Sequence, residues 1–418
     1  MSNTPFILPD YPPELLNMPG MVGEMQRFIH GRMSYPSKAT AGIAAIATMG
    51  AFAQTNLTIR SRDGLGFNEY FLILAPTGFG KEDLRRPPEI LDKESGDETV
   101  LFRHAAPASA QGCHQILEAN RSVFFLADEF AEWLKQSRSA NNAIQAALGY
   151  IMQAYTRATG TIEPGNAVSN DYQPVSNPRL SILATSTAEA LMQTLTRDQA
   201  DSGAYNRWLM FVGDQELPPK VYEGLVYEPS PELVEFIKWL KQQHGEVRFS
   251  REGWSAFKRL DNEMAEPIKR DDGLLGGRLS EQAIKIAGLF ALADKRFRIE
   301  PDDLFIAFDI RVGLYHRAAT LARHEGSLDG LHITGQAAKQ VEELFRRHDG
   351  LYKSQLPTFS RKYRGLSVAE RHAVLEHLRD TGVFRADDNR KAYLHSEIRQ
   401  ATEGSSQADM PESARWAK

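Results

Sequence analysis

Phe71-Leu72-Ile73-Leu74-Ala75-Pro76-Thr77-Gly78-Phe79-Gly80-Lys81 decides how this chain is read. An apolar run ends in a turn with two glycines and a lysine. The run predicts a strand buried on both faces, as in a parallel sheet. Gly78 and Gly80 let the backbone turn tightly and aim N–H groups inward. Lys81 brings positive charge to the same spot. A helix expected to begin near Lys81 adds the positive end of its dipole. Thr77, Gly78, Phe79, Gly80 and Lys81 are the candidate phosphate-binding residues.

The loop departs from G-x-x-x-x-G-K-[ST] at two positions. Ala75 replaces the first glycine, which is tolerable where no positive φ is needed. Glu82 replaces the hydroxyl residue that touches a metal. A carboxylate there repels phosphate unless a cation lies between them. Either Glu82 or Asp83 helps hold that cation, or the site binds nucleotide weakly. A ligand-free strand-to-helix turn is the bland alternative.

Downstream, Val123-Phe124-Phe125-Leu126-Ala127 is a second apolar run, closed by Asp128 and Glu129. Asp128 sits where a metal-bridging carboxylate belongs, and Glu129 where a residue orients the attacking water. An acidic first helical turn has the same appearance, but the glycine-lysine turn upstream favours a site. A third run, Leu180 to Ala184, leads to Thr185-Ser186-Thr187. Thr187 fits a helix N-cap, and Thr185 is a candidate sensor of a terminal phosphate. Trp208 to Val212 reads as a further strand with Arg207 at its entrance. An arginine there offsets charge on a transferring phosphoryl group, from within the chain or across a subunit interface.

The 418 residues suggest two or three domains. Hydrophobic content of 42% and charged content of 25% are those of a soluble globular protein. A net charge of −5 gives no overall basic signature, so nucleic-acid contact must come from local patches or from a pore. A single cysteine, Cys113, excludes an internal disulfide and points to a reducing compartment. The polar, proline-rich start does not resemble a signal peptide. The small-residue run Ala39 to Ala53 is too short for a bilayer and reads as a buried helix. No metal-spaced Cys/His set stands out.

The expected fold class is α/β: a P-loop NTPase core with a RecA/AAA-like parallel sheet, a helical subdomain and a C-terminal winged helix. Residues 1–56 form an N-terminal helical segment, with helices over 14–31 and 37–54. The core covers 57–228, with strands near 57–61 and 70–75. Arg85-Arg86-Pro87-Pro88 interrupts the helix after the loop, and its arginines lie unusually close to the phosphate site. Residues 92–107 read as irregular, 109–120 and 130–136 as helices, and 137–177 as loops. Residues 229–328 form the helical subdomain, with helices over 231–244, 280–294 and 301–324. Arg278 precedes the second of these, where it reaches a bound phosphate or simply flanks the helix.

Residues 329–397 read as the winged helix, with helices over 335–347, within 353–363 and over 368–381, then a hairpin of 383–385 with 391–394. Its basic residues Arg361, Lys362, Arg364, Arg371, Arg385, Arg390 and Lys391 form either a contact surface for a phosphate backbone or the solvated face of a packing module. Residues 398–418 read as a disordered tail.

The order of these features resembles a P-loop ATPase family of unknown function from phages, prophages and mobile elements, associated with primase-helicase proteins. The segment Ala75 to Glu82 carries the likeness, and an acid after the lysine is a habit of that family. Further matches are Ala108 to Gly112, Leu126 to Phe130, Asn177 to Ser181, Gly203 to Phe211, and Arg278 with Ala283 to Ala293. The resemblance spans about 35–325. It implies an ATP- and Mg2+-dependent helicase-like motor on single-stranded DNA, acting in phage or mobile-element replication in the host cytoplasm. Expected partners are ATP, single- or double-stranded DNA, a primase, and further copies of the chain in a hexameric ring. The chain has no evident primase segment. The first rival is a DNA-binding replication or regulatory adaptor with a degenerate nucleotide site. A packaging motor ranks third, because helices stand where its nuclease carboxylates belong.

Overall fold

A computed structural model describes residues 7–61, 64–120, 122–137, 142–163, 172–194, 203–214, 216–270, 275–324, 340–344, 351–352, 356–364, 371, 374–375, 378, 384–387 and 392–395. The chain forms two compact units, the first of 1–194 with 199–321, the second of 195–198 with 322–418.

In the first unit the strands are β1 (Leu57–Ile59), β2 (Leu65–Gly66), β3 (Tyr70–Leu74), β4 (Leu101–Arg103), β5 (Val123–Ala127), β6 (Thr161–Ile162), β7 (Val175–Ser176), β8 (Leu180–Ser186), β9 (Trp208–Val212), β10 (Gly245–Phe249) and β11 (Arg298–Ile299). Five make one parallel sheet in the order β4-β5-β8-β3-β9. β3, β5, β8 and β9 are buried along their whole length, as their unbroken apolar sequences predict. β8 lies between β3 and β5, so Leu72 pairs with Ala184 and Ala184 with Ala127.

A helix over Lys38–Ala53 packs on β3 and β8 and is buried from Ala39 to Ala53. Its small residues also admit close neighbours from the N-terminal helices. A Cβ on Gly42 would lie 2.9 Å from the Leu15 carbonyl oxygen. Ser37 caps it, accepting the Thr40 N–H at 3.3 Å. At its far end the Gln54 side chain donates to Ser122 Oγ at 2.7 Å and accepts from Ser181 Oγ at 2.8 Å. This fixes the start of β5 and β8 against the helix.

Several expectations shift. β1 leaves the main sheet and pairs in parallel with β10, in a four-stranded sheet ordered β11-β10-β1-β2. Residues 92–107 contain β4, a short edge strand too small to read from sequence. Residues 137–177 contain a helix, Asn142–Thr156, that buries Ala147, Ile151 and Ala154. The helices Pro231–Gln242, Leu279–Ala293 and Pro301–His324 stand where the sequence puts them, the first capped by Ser230.

In the second unit, helices Leu356–Phe359 and Arg361–Arg364 accompany a three-stranded antiparallel sheet. Its strands are β12 (Leu351–Tyr352), β13 (Phe384–Asp387) and β14 (Ala392–His395), with β14 central. The expected tail, 398–418, lies outside the described residues.

Lys241 is buried against Asp92, with side-chain exposures of 3% and 4%. Its Nζ lies 2.6 Å from Asp92 Oδ1. That oxygen is off the hydrogen-bonding direction, and the donors are aimed instead at the carbonyls of Asp92, Gly96 and Asp97 at 2.9, 2.8 and 3.2 Å. Lys241→Ala leaves a buried carboxylate unpaired and is expected to destabilise the fold by about 3–5 kcal/mol. Urea denaturation of the variant checks this, and an unchanged midpoint contradicts it.

Candidate functional site

Ligands of open α/β sheets bind outside the carboxyl ends of the strands. At that edge β3 runs into the glycine loop, β5 into Asp128 and Glu129, and Thr185 lies at the end of β8. The loop turns on two left-handed glycines, with φ of 85° at Gly78 and 80° at Gly80. Phe79 between them is buried and anchors it, while Thr77 and Gly78 face solvent. Asp83 accepts the Ser34 N–H at 2.7 Å, so its carboxylate braces the loop against the N-terminal helices.

The loop and the acid pair meet. Lys81 Nζ lies 3.3 Å from Asp128 Oδ1. The same oxygen accepts the Thr185 hydroxyl at 2.5 Å and the Glu129 N–H at 2.8 Å. Arg85 Nη2 lies 3.5 Å from Oδ2. Partial burial favours the neutral acid, but the Thr185 hydroxyl, the Glu129 N–H and Lys81 outweigh it and hold the carboxyl below its ordinary value. Thr185 therefore braces Asp128 and spends its hydroxyl there. Thr187 caps the following helix, accepting the Ala190 N–H at 3.3 Å.

Glu129 is exposed and left-handed, with φ of 51°. That conformation costs a non-glycine residue about 1–2 kcal/mol, and such strain collects at functional sites. A cleft of about 500 Å³ opens here, lined among others by Thr77, Lys81, Glu129, Glu132, Lys135 and Thr187. Glu132 and Lys135 were not singled out from the sequence. Their spacing from Glu129 along the helix Phe130–Gln136 was the available signal.

Three expectations fail geometrically. First, the α-helix does not start at Lys81. Lys81–Leu84 is a 3-10 turn, and the helix runs over Arg86–Glu94. Pro87 and Pro88 lack the N–H groups needed to continue a helix, but fit the first turn of a new one. Second, Glu82 does not join Asp128. Its side chain is 76% exposed and turns to Arg85, with Oε1 3.1 Å from Nη1.

Third, Arg207 and Arg278 do not reach the loop of their own chain. Arg207 precedes β9 and so lies at the amino edge of the sheet, about 13 Å from the carboxyl edge at ~3.3 Å per residue. Its guanidinium donates to the Gly203 carbonyl at 2.6 Å and Thr156 Oγ1 at 3.3 Å. Burial, and then the nearby Arg278, lower its pKa. Arg278 pairs with Glu281 at 2.5 Å and lies 5.3 Å over the Tyr155 ring.

The donor set does not fit a magnesium ion. Magnesium demands near-octahedral oxygen donors, drawn from one or two carboxylates and phosphates. Asp128 Oδ1 already faces three donors, Oδ2 faces Arg85, and Glu82 is turned away. Among the described residues no group of three His, Cys, Asp or Glu side chains is arranged to hold a metal.

Of the expected nucleic-acid contacts, Arg390 and Lys391 lie outside the described residues, as do the side chains of Arg361, Lys362 and Arg385. Arg364 is exposed and donates to the Thr358 carbonyl at 3.3 Å. Arg371 donates to the carbonyls of Tyr363 and Arg364 at 3.1 and 2.5 Å, which is a packing role. Among the described residues no helix is long and apolar enough to cross a membrane. No protein-family model and no curated protein matches the chain.

A depressed carboxyl stabilises above its ordinary value and loses that contribution as the pH falls through its folded value. Asp128→Asn is therefore expected to be less stable than the native chain at neutral pH. The gap closes as the pH falls below 3.8, the ordinary Asp value. Denaturation midpoints across that range measure it, and a pH-independent gap contradicts it.

Proposed function

We propose that the first unit is a P-loop NTPase that binds and hydrolyses ATP, and that the chain is a helicase-like motor of phage or mobile-element DNA replication. The observation that carries this reading is the 3.3 Å approach of Lys81 to Asp128 beside a cleft that Glu129 also lines. Backbone N–H groups of Gly78 to Lys81 hold the outer phosphates, and Lys81 moves from Asp128 onto them. Glu129 orients the attacking water, as its exposed, strained position beside the cleft supports.

The three-stranded sheet and helices of the second unit support a winged helix that contacts DNA. Arg207 and Arg278 at the amino edge support a head-to-tail assembly in which one protomer's arginines serve its neighbour's nucleotide. The second reading, an adaptor without turnover, draws on Glu82 standing where a hydroxyl residue belongs and on Arg85 facing Asp128 Oδ2. ATPase activity with and without single-stranded DNA separates the two.

Glu129→Gln is expected to bind ATP as the native chain does and to lose turnover, whereas Lys81→Ala loses binding. Titration with a fluorescent ATP analogue and a phosphate-release assay check both, and unchanged turnover in Glu129→Gln removes that residue from the mechanism. Arg207→Ala is expected to lower turnover by on the order of 10³-fold with binding kept. When Arg207→Ala and Glu129→Gln proteins are mixed, some interfaces regain an intact Glu129 and an intact Arg207. Phosphate release is then expected to recover in part, and no recovery sinks the assignment of Arg207 to a neighbour's site.

A further inference from the structure

We propose that Arg85 supplies the cation that a divalent metal ordinarily supplies at a triphosphate site, so that this loop binds a polyphosphate without magnesium. The inference rests on the nucleotide reading above. It begins from two features of the sequence: an acid at position 82 and an arginine at 85, just after the loop.

In the structure these two residues form one device with Asp128. Arg85 Nη2 lies 3.5 Å from Asp128 Oδ2, and Nη1 lies 3.1 Å from Glu82 Oε1. The Arg85 side chain is 21% exposed, so it is largely sheltered beside the loop. Arg85 faces one Asp128 oxygen, Oδ2. The other oxygen is held by Thr185, Glu129 and Lys81. A phosphate loop usually offers a Ser or Thr hydroxyl to magnesium. Here that position is Glu82, turned to solvent and toward Arg85.

The chemistry of guanidinium suits the exchange. It stays charged at every accessible pH and carries five donors in a rigid fork that matches phosphate oxygens. It can keep one edge on Asp128, release Glu82, and offer the freed edge to a phosphate. A carboxylate, a cation and a phosphate then stand in line, the same order that a bridging metal creates. Glu82 is the counter-ion of the empty state. Its exposure makes the pair weak, so an incoming triphosphate displaces it readily.

The test uses the full chain and a non-hydrolysable ATP analogue, titrated calorimetrically in magnesium and in EDTA. The native chain is expected to bind with dissociation constants within about threefold of each other in the two buffers, a difference of under 1 kcal/mol. Arg85→Gln is expected to weaken binding in EDTA by about tenfold or more, the loss of a charge-assisted contact, with Arg85→Lys between the two. Native binding that vanishes in EDTA and returns with magnesium overturns the inference while leaving the nucleotide reading intact. Equal binding by Arg85→Gln and the native chain in EDTA overturns it as well. No binding by the native chain in either buffer overturns the nucleotide reading and the inference together.

Discussion

The carboxyl edge of the main sheet is organised around the Asp128 carboxylate. One of its oxygens takes a hydroxyl from β8, a backbone N–H from the residue after β5, and the lysine of the loop after β3. Three strand ends are tied at one atom. The contact lies at the rim of a cleft, where a charged hydrogen bond is less screened than on an open surface. It also explains how the glycine loop keeps its shape with two residues in the left-handed region. The loop is pinned at Lys81 by Asp128 and at Asp83 by Ser34.

That node exists because β8 lies between β3 and β5. The insertion separates the loop from the acid pair by one strand width on either side of β8, about 4.8 Å each, which leaves room for a cleft. The buried helix Lys38–Ala53 holds β3 and β8 from behind with small side chains. Gln54 reaches the amino ends of β5 and β8. The carboxyl edge of the sheet is thus positioned from the opposite edge, by Gln54 at the amino ends of its strands.

Much of this was legible in the sequence, for identifiable reasons. Strands buried on both faces leave unbroken apolar runs, and β3, β5, β8 and β9 each do. The helices read over 37–54, 109–120 and 231–244 are present, and Ser37, Ser109 and Ser230 cap them because short hydroxyl side chains satisfy free N–H groups. β4 was missed because three residues at a sheet edge leave almost no pattern. The helix Asn142–Thr156 was missed because the polar composition of its flanks hid its apolar spacing. Of the two alternatives for Arg207, the topology excludes the one within a single chain. In a parallel sheet, residues that follow strands share one edge and residues that precede them share the other. Asp128 follows its strand and Arg207 precedes its own, so they never belonged to one site within one chain.

In the region after the loop each unusual residue makes sense only with the others. Pro87 and Pro88 forbid a helix running on from Lys81, and a short 3-10 turn takes its place. Without an α-helix beginning at the loop, less dipole is aimed into the loop. The positive charge has to come from side chains, and Arg85 is the one that the turn delivers to Asp128. An extra arginine there needs a partner while the site is empty, and Glu82 is that partner. Read singly, the acid after the lysine is a defect in a phosphate loop. Taken with the prolines and the arginine, it is the partner of Arg85 and, on the proposal made above, the counter-charge of a loop that carries its own cation.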